Sequence, residues 1–179
     1  MNKILYFPLI IKLFSTLIFA REPSLATLQV VYSNSNQMFS IKQHQFLCSA
    51  YGIISIDALY NEAKLDSTCR TSIEEFYLQN PRDKYYSSNM FDLRQTYHVE
   101  YKKGKCIVYI KGLNTLSELL LANGLAVKET SFNDEEFNDV FIEAQTQAKE
   151  NNLGMYKNKI KYKCIAELFS IEKKALSDY

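Results

Sequence analysis

The sequence has few histidines and no closely paired cysteines, and both absences limit the metal chemistry that we expect. Only two of its 179 residues are histidine, and Cys48, Cys69, Cys106 and Cys164 show no CxxC spacing. Structural zinc sites use closely spaced cysteine and histidine ligands, so we expect no zinc site. In an exported protein the four cysteines would form up to two disulfides, with three possible connectivities. The alternative is buried free thiols.

A strong net charge is also missing. The formal charge is +1 at pH 7, and residues 1–20 contain Lys3 and Lys12 but no acidic residue. The remaining residues include 19 basic and 20 acidic side chains. A protein that binds nucleic-acid phosphate backbones over a wide surface usually has a larger positive charge. The composition therefore argues against strong nucleic-acid binding and leaves room only for a local patch.

Residues 1–20 are apolar with a cationic start, which is typical of a secretory signal with cleavage after Ala20. Pro8 and Lys12 interrupt the apolar run, so it makes a poor membrane-spanning helix. Ile18 stands where a small residue usually precedes the cleavage site, so an uncleaved anchor and a buried segment remain alternatives. We expect an exported protein, whether periplasmic, secreted or membrane-anchored, that touches a membrane only through residues 1–20 if they are uncleaved.

The rest of the chain shows no internal repeat and no flexible linker. Apolar residues make up 47% of the sequence and charged residues 23%, which is ordinary for a globular protein. This length is enough for one domain with a substantial core. We predict one domain over residues 21–157 and a helical extension over residues 158–179.

The first part of the domain is β-prone. Residues 26–32 and 37–42 are predicted strands on either side of a polar turn at residues 33–36. Residues 45–57 are long and apolar, which suits a buried strand with a bulge at Gly52.

The middle of the chain is more polar. Residues 59–65 are predicted as a loop, and a helix follows from Asp66 or Ser67 to about Leu78. Pro81 ends that helix, because the residue before a proline avoids helical geometry. Residues 81–95 are predicted to be irregular.

Two β-rich runs, residues 96–102 and 105–111, then predict a tight hairpin with Lys103 and Gly104 in the turn. Thr115 and Glu118 have the spacing of a capping box.

Three further features predict helices in the last third of the chain. Asn123-Gly124 ends the capped helix. A second helix is predicted to begin at Ser131 or Asn133 and to run to Gly154, with acidic residues 134–136 in its first turn, where the helix dipole favours anions. Residues 159–177 form a third amphipathic stretch.

Several short segments occur in an order that points to a known family. They are Ala26-Thr27-Leu28, Ile56-Asp57-Ala58, Tyr109-Ile110, Leu116-Ser117-Glu118-Leu119-Leu120, Asn123-Gly124-Leu125-Ala126, Glu143-Ala144-Gln145-Thr146-Gln147-Ala148-Lys149 and Leu153-Gly154-Met155-Tyr156. Across residues 26–157 the chain resembles the staphylococcal nuclease (thermonuclease) family. The resemblance implies an α+β fold, an OB-fold five-stranded β-barrel with three packed helices, here followed by the C-terminal helical extension.

The resemblance also implies calcium-dependent hydrolysis of phosphodiesters in DNA or RNA. On this basis Asp57 is the predicted metal ligand, with a strand-end turn residue as the alternative. The proline and glutamate that follow in the family motif are missing, and Glu62, two residues late, is the only nearby carboxylate that we expect to be able to replace the catalytic glutamate. Lys105 occupies the family's second arginine position and keeps the charge without the bidentate fork. The alternatives are a solvated loop glutamate and a solvated hairpin lysine.

Two other family positions depart further. The first arginine position falls on Gly52 or Ser49, and the metal-binding aspartate expected near Ser35 is absent because residues 33–36 contain no acid. Loss of one electrostatic stabiliser lowers a rate by about 10²–10³. We therefore expect catalysis to be weak or lost.

Three functions follow from this reading. The first is a binding module for single-stranded nucleic acid or a protein, with Tyr101, Lys102 and Lys103 as the predicted nucleic-acid-binding residues, joined by Lys105 and the Tyr85-Tyr86 pair. The alternative for these tyrosines is packing in or beside the core. The second function is an active calcium-dependent phosphodiesterase with a rearranged site that uses Glu62 and a further cation, Arg70 or Arg82. The third is a structural envelope protein.

Overall fold

A computed structural model describes residues 23–61, 67–157, 160 and 162–177. The predicted signal segment, residues 1–20, lies outside them. The strands are β1 (Ser24–Val31), β2 (Asn36–Ile41), β3 (His44–Ser49), β4 (Ile53–Ser55), β5 (Thr96–Lys102), β6 (Lys105–Lys111), β7 (Asn114–Thr115) and β8 (Ala126–Lys128). The helices are α1 (Ala58–Asn61), α2 (Ser67–Gln79), α3 (Pro81–Lys84), α4 (Tyr86–Met90), α5 (Leu116–Ala122), α6 (Asn138–Glu150) and α7 (Tyr162–Ser177), with a 3₁₀ turn at Gly154–Tyr156.

Within the described residues the protein is a mixed α+β fold around a six-stranded antiparallel sheet. The strand order is β3-β2-β1-β5-β6-β7, and β4 pairs with β8 in a separate two-stranded sheet. The predicted hairpin is confirmed, with Lys102 opposite Lys105. Its two turn residues, Lys103 and Gly104, have φ angles of 51° and 80°. Positive φ at both positions gives the two-residue turn whose twist matches the flanking strands.

The two ends of the large sheet approach each other but do not join in a continuous ladder among the described residues. Ala50, just after β3, makes a single parallel bridge to Cys106 of β6, and the Tyr51 N–H donates to the Cys106 carbonyl at 3.0 Å. A disulfide joins Cys48 to Cys106 at the same point. The sheet therefore has six strands and is not closed among the described residues, where the resemblance implied a five-stranded OB-fold barrel.

The capped helix is confirmed. The Glu118 N–H donates to the Thr115 hydroxyl at 3.2 Å, and the Thr115 N–H donates to the Glu118 carboxylate at 3.4 Å. After α5 the chain turns at Gly124, whose φ is 64°. A Cβ at this position would overlap the Leu153 carbonyl. Only glycine therefore allows the backbone of residues 123–124 to pass so close to the end of α6.

Several boundaries differ from the sequence predictions. Helix α6 begins at Asn138, so acidic residues 134–136 precede it. The cause is a local turn, because the Asp134 carbonyl accepts hydrogen bonds from the N–H groups of Phe137 and Asn138, and its side chain accepts one from Glu136. The irregular structure predicted for residues 81–95 is also wrong for residues 81–90, which contain α3 and α4.

The predictions between β3 and α2 also need correction. Part of the predicted loop at residues 59–65 is helical, because α1 ends at Asn61, and residues 62–66 lie outside the described part of the chain. Gly52, predicted as a bulge, lies in a turn that separates β3 from β4. The predicted long strand is therefore two strands.

The C-terminal helix α7 packs on the rest of the domain. A disulfide joins its Cys164 to Cys69 of α2, and Cys164 and Leu168 are fully buried. All four cysteines are therefore paired, and the free-thiol alternative is wrong. None of the helices in the described ranges has the length and apolar character needed to cross a bilayer.

Candidate functional site

Asp57 follows β4, and both oxygens of its carboxylate already accept hydrogen bonds. The Asn34 N–H donates to Oδ2 at 2.9 Å, and the Tyr77 hydroxyl donates to Oδ1. Burial raises the pKa of Tyr77 far above its ordinary value, and the charge of Asp57 and their hydrogen bond raise it further. The Tyr77 hydroxyl therefore keeps its proton at neutral pH and donates it to this carboxylate.

The turn at residues 33–36, where the resemblance places a metal-binding aspartate, is hydrogen-bonded to α3 and α4. Asn34 is 1% exposed, and its side-chain amide donates to the Asp83 carbonyl at 2.9 Å and accepts from the Ser87 N–H at 3.0 Å. The Asn34 carbonyl accepts from the Ser87 hydroxyl at 2.6 Å and the Gln37 amide at 3.0 Å. The turn is thus held by internal hydrogen bonds.

The described groups around Asp57 do not fit a calcium site. Calcium takes six to eight oxygen ligands, several of them from carboxylates. Around Asp57 the neighbouring groups direct an N–H and an O–H at the carboxylate oxygens. The described residues also contain no group of three or more histidine, cysteine, aspartate or glutamate side chains arranged to hold a metal.

The predicted cationic position, Lys105, forms an ion pair with Glu129. The Glu129 N–H donates to the Gly52 carbonyl at 3.0 Å, which fixes the pair beside the turn after β3. Gly52 itself has no room for an arginine, because a Cβ there would overlap the Phe132 ring and its φ is 72°. At the other candidate position, the Ser49 hydroxyl donates to the Asn36 side chain at 2.7 Å.

The hairpin lysine Lys102 is the centre of a second charge network. Its ammonium lies 2.8 Å from Asp134 and 3.7 Å from Glu136, and the Tyr51 hydroxyl also donates to Asp134 at 2.8 Å. Burial would raise the pKa of Asp134, but the hydrogen bonds from Lys102, Tyr51 and the Glu136 N–H lower it below its usual value. The Lys102 ammonium also lies 5.5 Å from the centre of the Phe137 ring.

These pairs change the character of the predicted nucleic-acid surface. Lys103 and Tyr101 are exposed at the hairpin, but Lys102 and Lys105 are each neutralised by acidic side chains. The hairpin therefore presents much less positive charge than its sequence suggests.

A cleft with a volume of about 650 Å³ lies beside Asp57. It is lined by Val31, Tyr32, Ser33, Asp57, Tyr60, Glu74, Tyr77, Leu78, Pro81, Lys84, Tyr85 and Ser88. We call it the tyrosine cleft. Among its tyrosines, Tyr32, Tyr60 and Tyr85 are substantially exposed, which is unusual for large aromatic side chains gathered in one place.

Two of these tyrosines carry a cation on the ring face. The Arg70 guanidinium lies 5.1 Å from the centre of the Tyr60 ring, and the Lys84 ammonium lies 5.5 Å from the centre of the Tyr85 ring. Arg70 also pairs with Glu74 at 3.4 Å, where both side chains are exposed. The cleft therefore combines aromatic faces with two cations, Lys84 in its lining and Arg70 at its edge, and with two acids, Asp57 and Glu74.

Only part of this cleft is predictable from the sequence. Asp57 and Tyr85 were candidate site residues and Arg70, at the edge of the cleft, was a candidate cation, whereas Tyr32 and Tyr60 come from separate segments without a shared motif and were missed. Of the Tyr85-Tyr86 pair only the first residue lines the cleft, because the Tyr86 hydroxyl accepts a hydrogen bond from Asn123 at 2.9 Å.

The sequence-predicted residues do not share partners. Asp57 contacts Asn34 and Tyr77, whereas Lys105 contacts Glu129. Glu62 lies outside the described residues.

A scan of the chain against models of protein families found no match, and a search among curated proteins found none either.

Proposed function

We propose that the chain is an exported, nuclease-like OB-type module that has lost phosphodiesterase catalysis and binds single-stranded nucleic acid in the tyrosine cleft. The observation that carries the proposal is the cleft itself, where exposed tyrosine rings lie beside Arg70 and Lys84. Proteins that hold single strands combine stacking rings with cations that follow the backbone.

The close contact between the end of β3 and β6 supports the proposal of an OB-type fold. A small barrel closes where its outer strands meet, and the OB fold is only partly closed. The bridge between Ala50 and Cys106 and the disulfide from Cys48 bring β3 to β6 in this way.

The hydrogen bonds of Asp57 support the loss of catalysis. Hydrolysis in this family needs carboxylates that hold a cation and cationic groups that stabilise the phosphoryl charge. Asp57 is engaged by Asn34 and Tyr77, and the charge of Lys105 is neutralised by Glu129.

The preference for a single strand follows from the stacking surfaces. Bases in a duplex are stacked on each other, whereas unpaired bases can lie on side-chain rings. Tyr32, Tyr60 and Tyr85 offer such rings, and the cations Arg70 and Lys84 lie 5.1 Å and 5.5 Å from the centres of the Tyr60 and Tyr85 rings.

The disulfides support export. Disulfides persist in oxidising compartments and are rare in reducing ones. Both Cys48–Cys106 and Cys69–Cys164 are fully buried. Their presence agrees with the secretory signal expected at residues 1–20.

The test compares binding with cleavage on the oxidised protein, using single- and double-stranded DNA and RNA with and without calcium. We expect single-strand binding without cleavage. Tyr85→Ala should weaken binding about tenfold, since stacking contributes about 1–3 kcal/mol per base. Tyr101→Ala is the matched control, because both tyrosines are 53% exposed and Tyr101 lies on the hairpin.

Each other outcome is informative. Equal losses in the two variants would contradict the choice of the tyrosine cleft. Calcium-dependent cleavage that disappears in Asp57→Ala would refute the loss of catalysis. Absence of both binding and cleavage would overturn the proposed function in favour of a protein-binding or structural role.

One observation favours a second candidate, an active phosphodiesterase with a rearranged site. Arg70, a cation considered for that role, lies against Tyr60 at the edge of the cleft that contains Asp57. If this candidate is correct, Arg70→Ala should abolish calcium-dependent cleavage. Arg94→Ala, at an exposed arginine before β5, should leave it unchanged.

A further inference from the structure

A second cleft opens on the other side of the junction between α2 and α3. It has a volume of about 330 Å³ and is lined by Phe76, Gln79, Asn80 and Lys157. The residues between these in the chain, Tyr77 and Leu78, line the tyrosine cleft, as does Pro81. The two clefts therefore lie on opposite sides of the segment from Phe76 to Lys84, which we call the wall. Leu78, which is 82% exposed, projects from this wall.

Positive charge is concentrated along the same wall. Arg82 and Lys84 of α3 are exposed, and so is Lys157. The charge of Lys157 reaches Asp83, since it acts to lower the pKa of that carboxyl against the larger effect of burial, which raises it. Three exposed cations and the partly buried Asp83 therefore lie along the wall, and the tyrosine cleft on one side of it also contains the acids Asp57 and Glu74.

The chemistry of the second cleft suits an anion. Of its four lining residues, Lys157 is charged, Gln79 and Asn80 carry amide groups, and Phe76 is apolar. The Asn80 side-chain amide donates to the Phe76 carbonyl at 2.9 Å. Lys157 is the charged residue among the four that line the cleft, so its ammonium determines which ligand charge is favoured. A lysine ammonium binds phosphate as a compact point charge.

We infer that a strand held in the tyrosine cleft continues past Leu78 and α3 and places a backbone phosphate against Lys157. The inference rests on the proposed function. A nucleic-acid strand carries a negative charge at every nucleotide, so it complements the exposed cations Arg82 and Lys84 of α3 and Lys157 of the second cleft. Lys157 is then a phosphate subsite outside the stacking cleft, and it carries no sequence preference.

The experiment measures the affinity of the full oxidised chain for thymidine oligonucleotides of increasing length at several salt concentrations. Lys157→Gln should weaken binding of the longer strands about fivefold at 0.1 M salt. It should also make the slope of log K against log salt shallower by about 0.7, the value for one phosphate contact on a single strand. Strands short enough to occupy the tyrosine cleft alone should bind both proteins equally.

Lys42→Gln is the matched control, because Lys42 is an exposed lysine in the turn between β2 and β3 and lines neither cleft. Thermal unfolding of both variants checks that the fold is retained. If the wild-type protein binds no strand of any length, the proposed function fails. If it binds but Lys157→Gln behaves like Lys42→Gln, the subsite is refuted while the proposed function stands. Equal competition by polyglutamate would also overturn the inference, because the cations would then recognise any polyanion.

Discussion

Replacing Asp134 by asparagine removes the charge from a carboxylate that accepts hydrogen bonds from Lys102, Tyr51 and the Glu136 N–H. The Asp134 side chain is 9% exposed and the Lys102 side chain 28%. Breaking a buried ion pair by removing one partner costs about 3–5 kcal/mol, because the remaining charge stays desolvated. Partial exposure of the lysine reduces this cost, so we expect the unfolding free energy to fall by about 2–3 kcal/mol.

Urea unfolding of the oxidised protein at pH 7 measures this loss, with Glu135→Gln as the control. Glu135 is the exposed neighbour of Asp134, and its substitution should change the unfolding free energy by less than about 0.5 kcal/mol. A double-mutant cycle with Lys102→Met should show coupling between the two side chains. The reasoning is refuted if the two acidic substitutions have equal effects or if the coupling is zero.

The pH dependence gives an independent check. Because the pKa of Asp134 is lowered in the folded protein, its stabilisation is fully present above the unfolded pKa, about 3.9. It is lost as the pH falls through the lower, folded value. The difference in unfolding free energy between wild type and Asp134→Asn should therefore be constant near neutral pH and shrink below about pH 4. A difference that grows on acidification would contradict the assigned shift.

Three further predictions concern stability and are measured by denaturant unfolding. Replacing both Cys69 and Cys164 by serine opens a covalent loop spanning 95 residues, so the unfolding free energy should fall by up to about 5 kcal/mol, whereas reducing agent should then affect only the remaining disulfide. Thr115→Ala should cost about 1 kcal/mol through loss of the cap, while Thr115→Ser should recover most of it; equal costs would contradict the capping role. Tyr77→Phe should destabilise by about 1–2 kcal/mol because one carboxylate oxygen of Asp57 loses its donor, and no loss would show that this hydrogen bond is unimportant.

The features that sequence reasoning predicted well are those decided by neighbouring residues. The hairpin turn needs positive φ at two positions, and Lys103-Gly104 between two β-rich runs identified it. The cap needs a hydroxyl and a carboxylate three residues apart, and Thr115 and Glu118 supplied them. Both structures are specified within a few residues, so the sequence contains the whole signal.

The features that were missed depend on contacts between distant segments. Helix α6 was predicted to begin several residues early because acidic residues 134–136 match a first turn. In the structure the Asp134 side chain instead binds Lys102 and Tyr51, which are more than thirty residues away. Most of the tyrosine cleft was missed for the same reason, since its lining comes from β1, α1, α2, α3 and α4 and from the turns beside them.

The predicted charge of the hairpin illustrates a related limit. Tyr101, Lys102 and Lys103 form a basic run in the sequence, but the acids that neutralise Lys102 come from the segment before α6, and the acid that neutralises Lys105 follows β8. Counting charges along the chain therefore overestimated the field at this surface. The cations at the tyrosine cleft, Arg70 and Lys84, stand apart in the sequence and formed no visible cluster.

The two disulfides have a joint consequence that neither has alone. Cys48–Cys106 and Cys69–Cys164 interleave along the chain, so every peptide bond between Cys48 and Cys164 lies inside at least one covalent ring. A protease that cuts the exposed hairpin turn at Lys103 would open a bond without separating the pieces. A protein with this connectivity remains one molecule after any single cut between Cys48 and Cys164, and its two clefts stay attached to the same body.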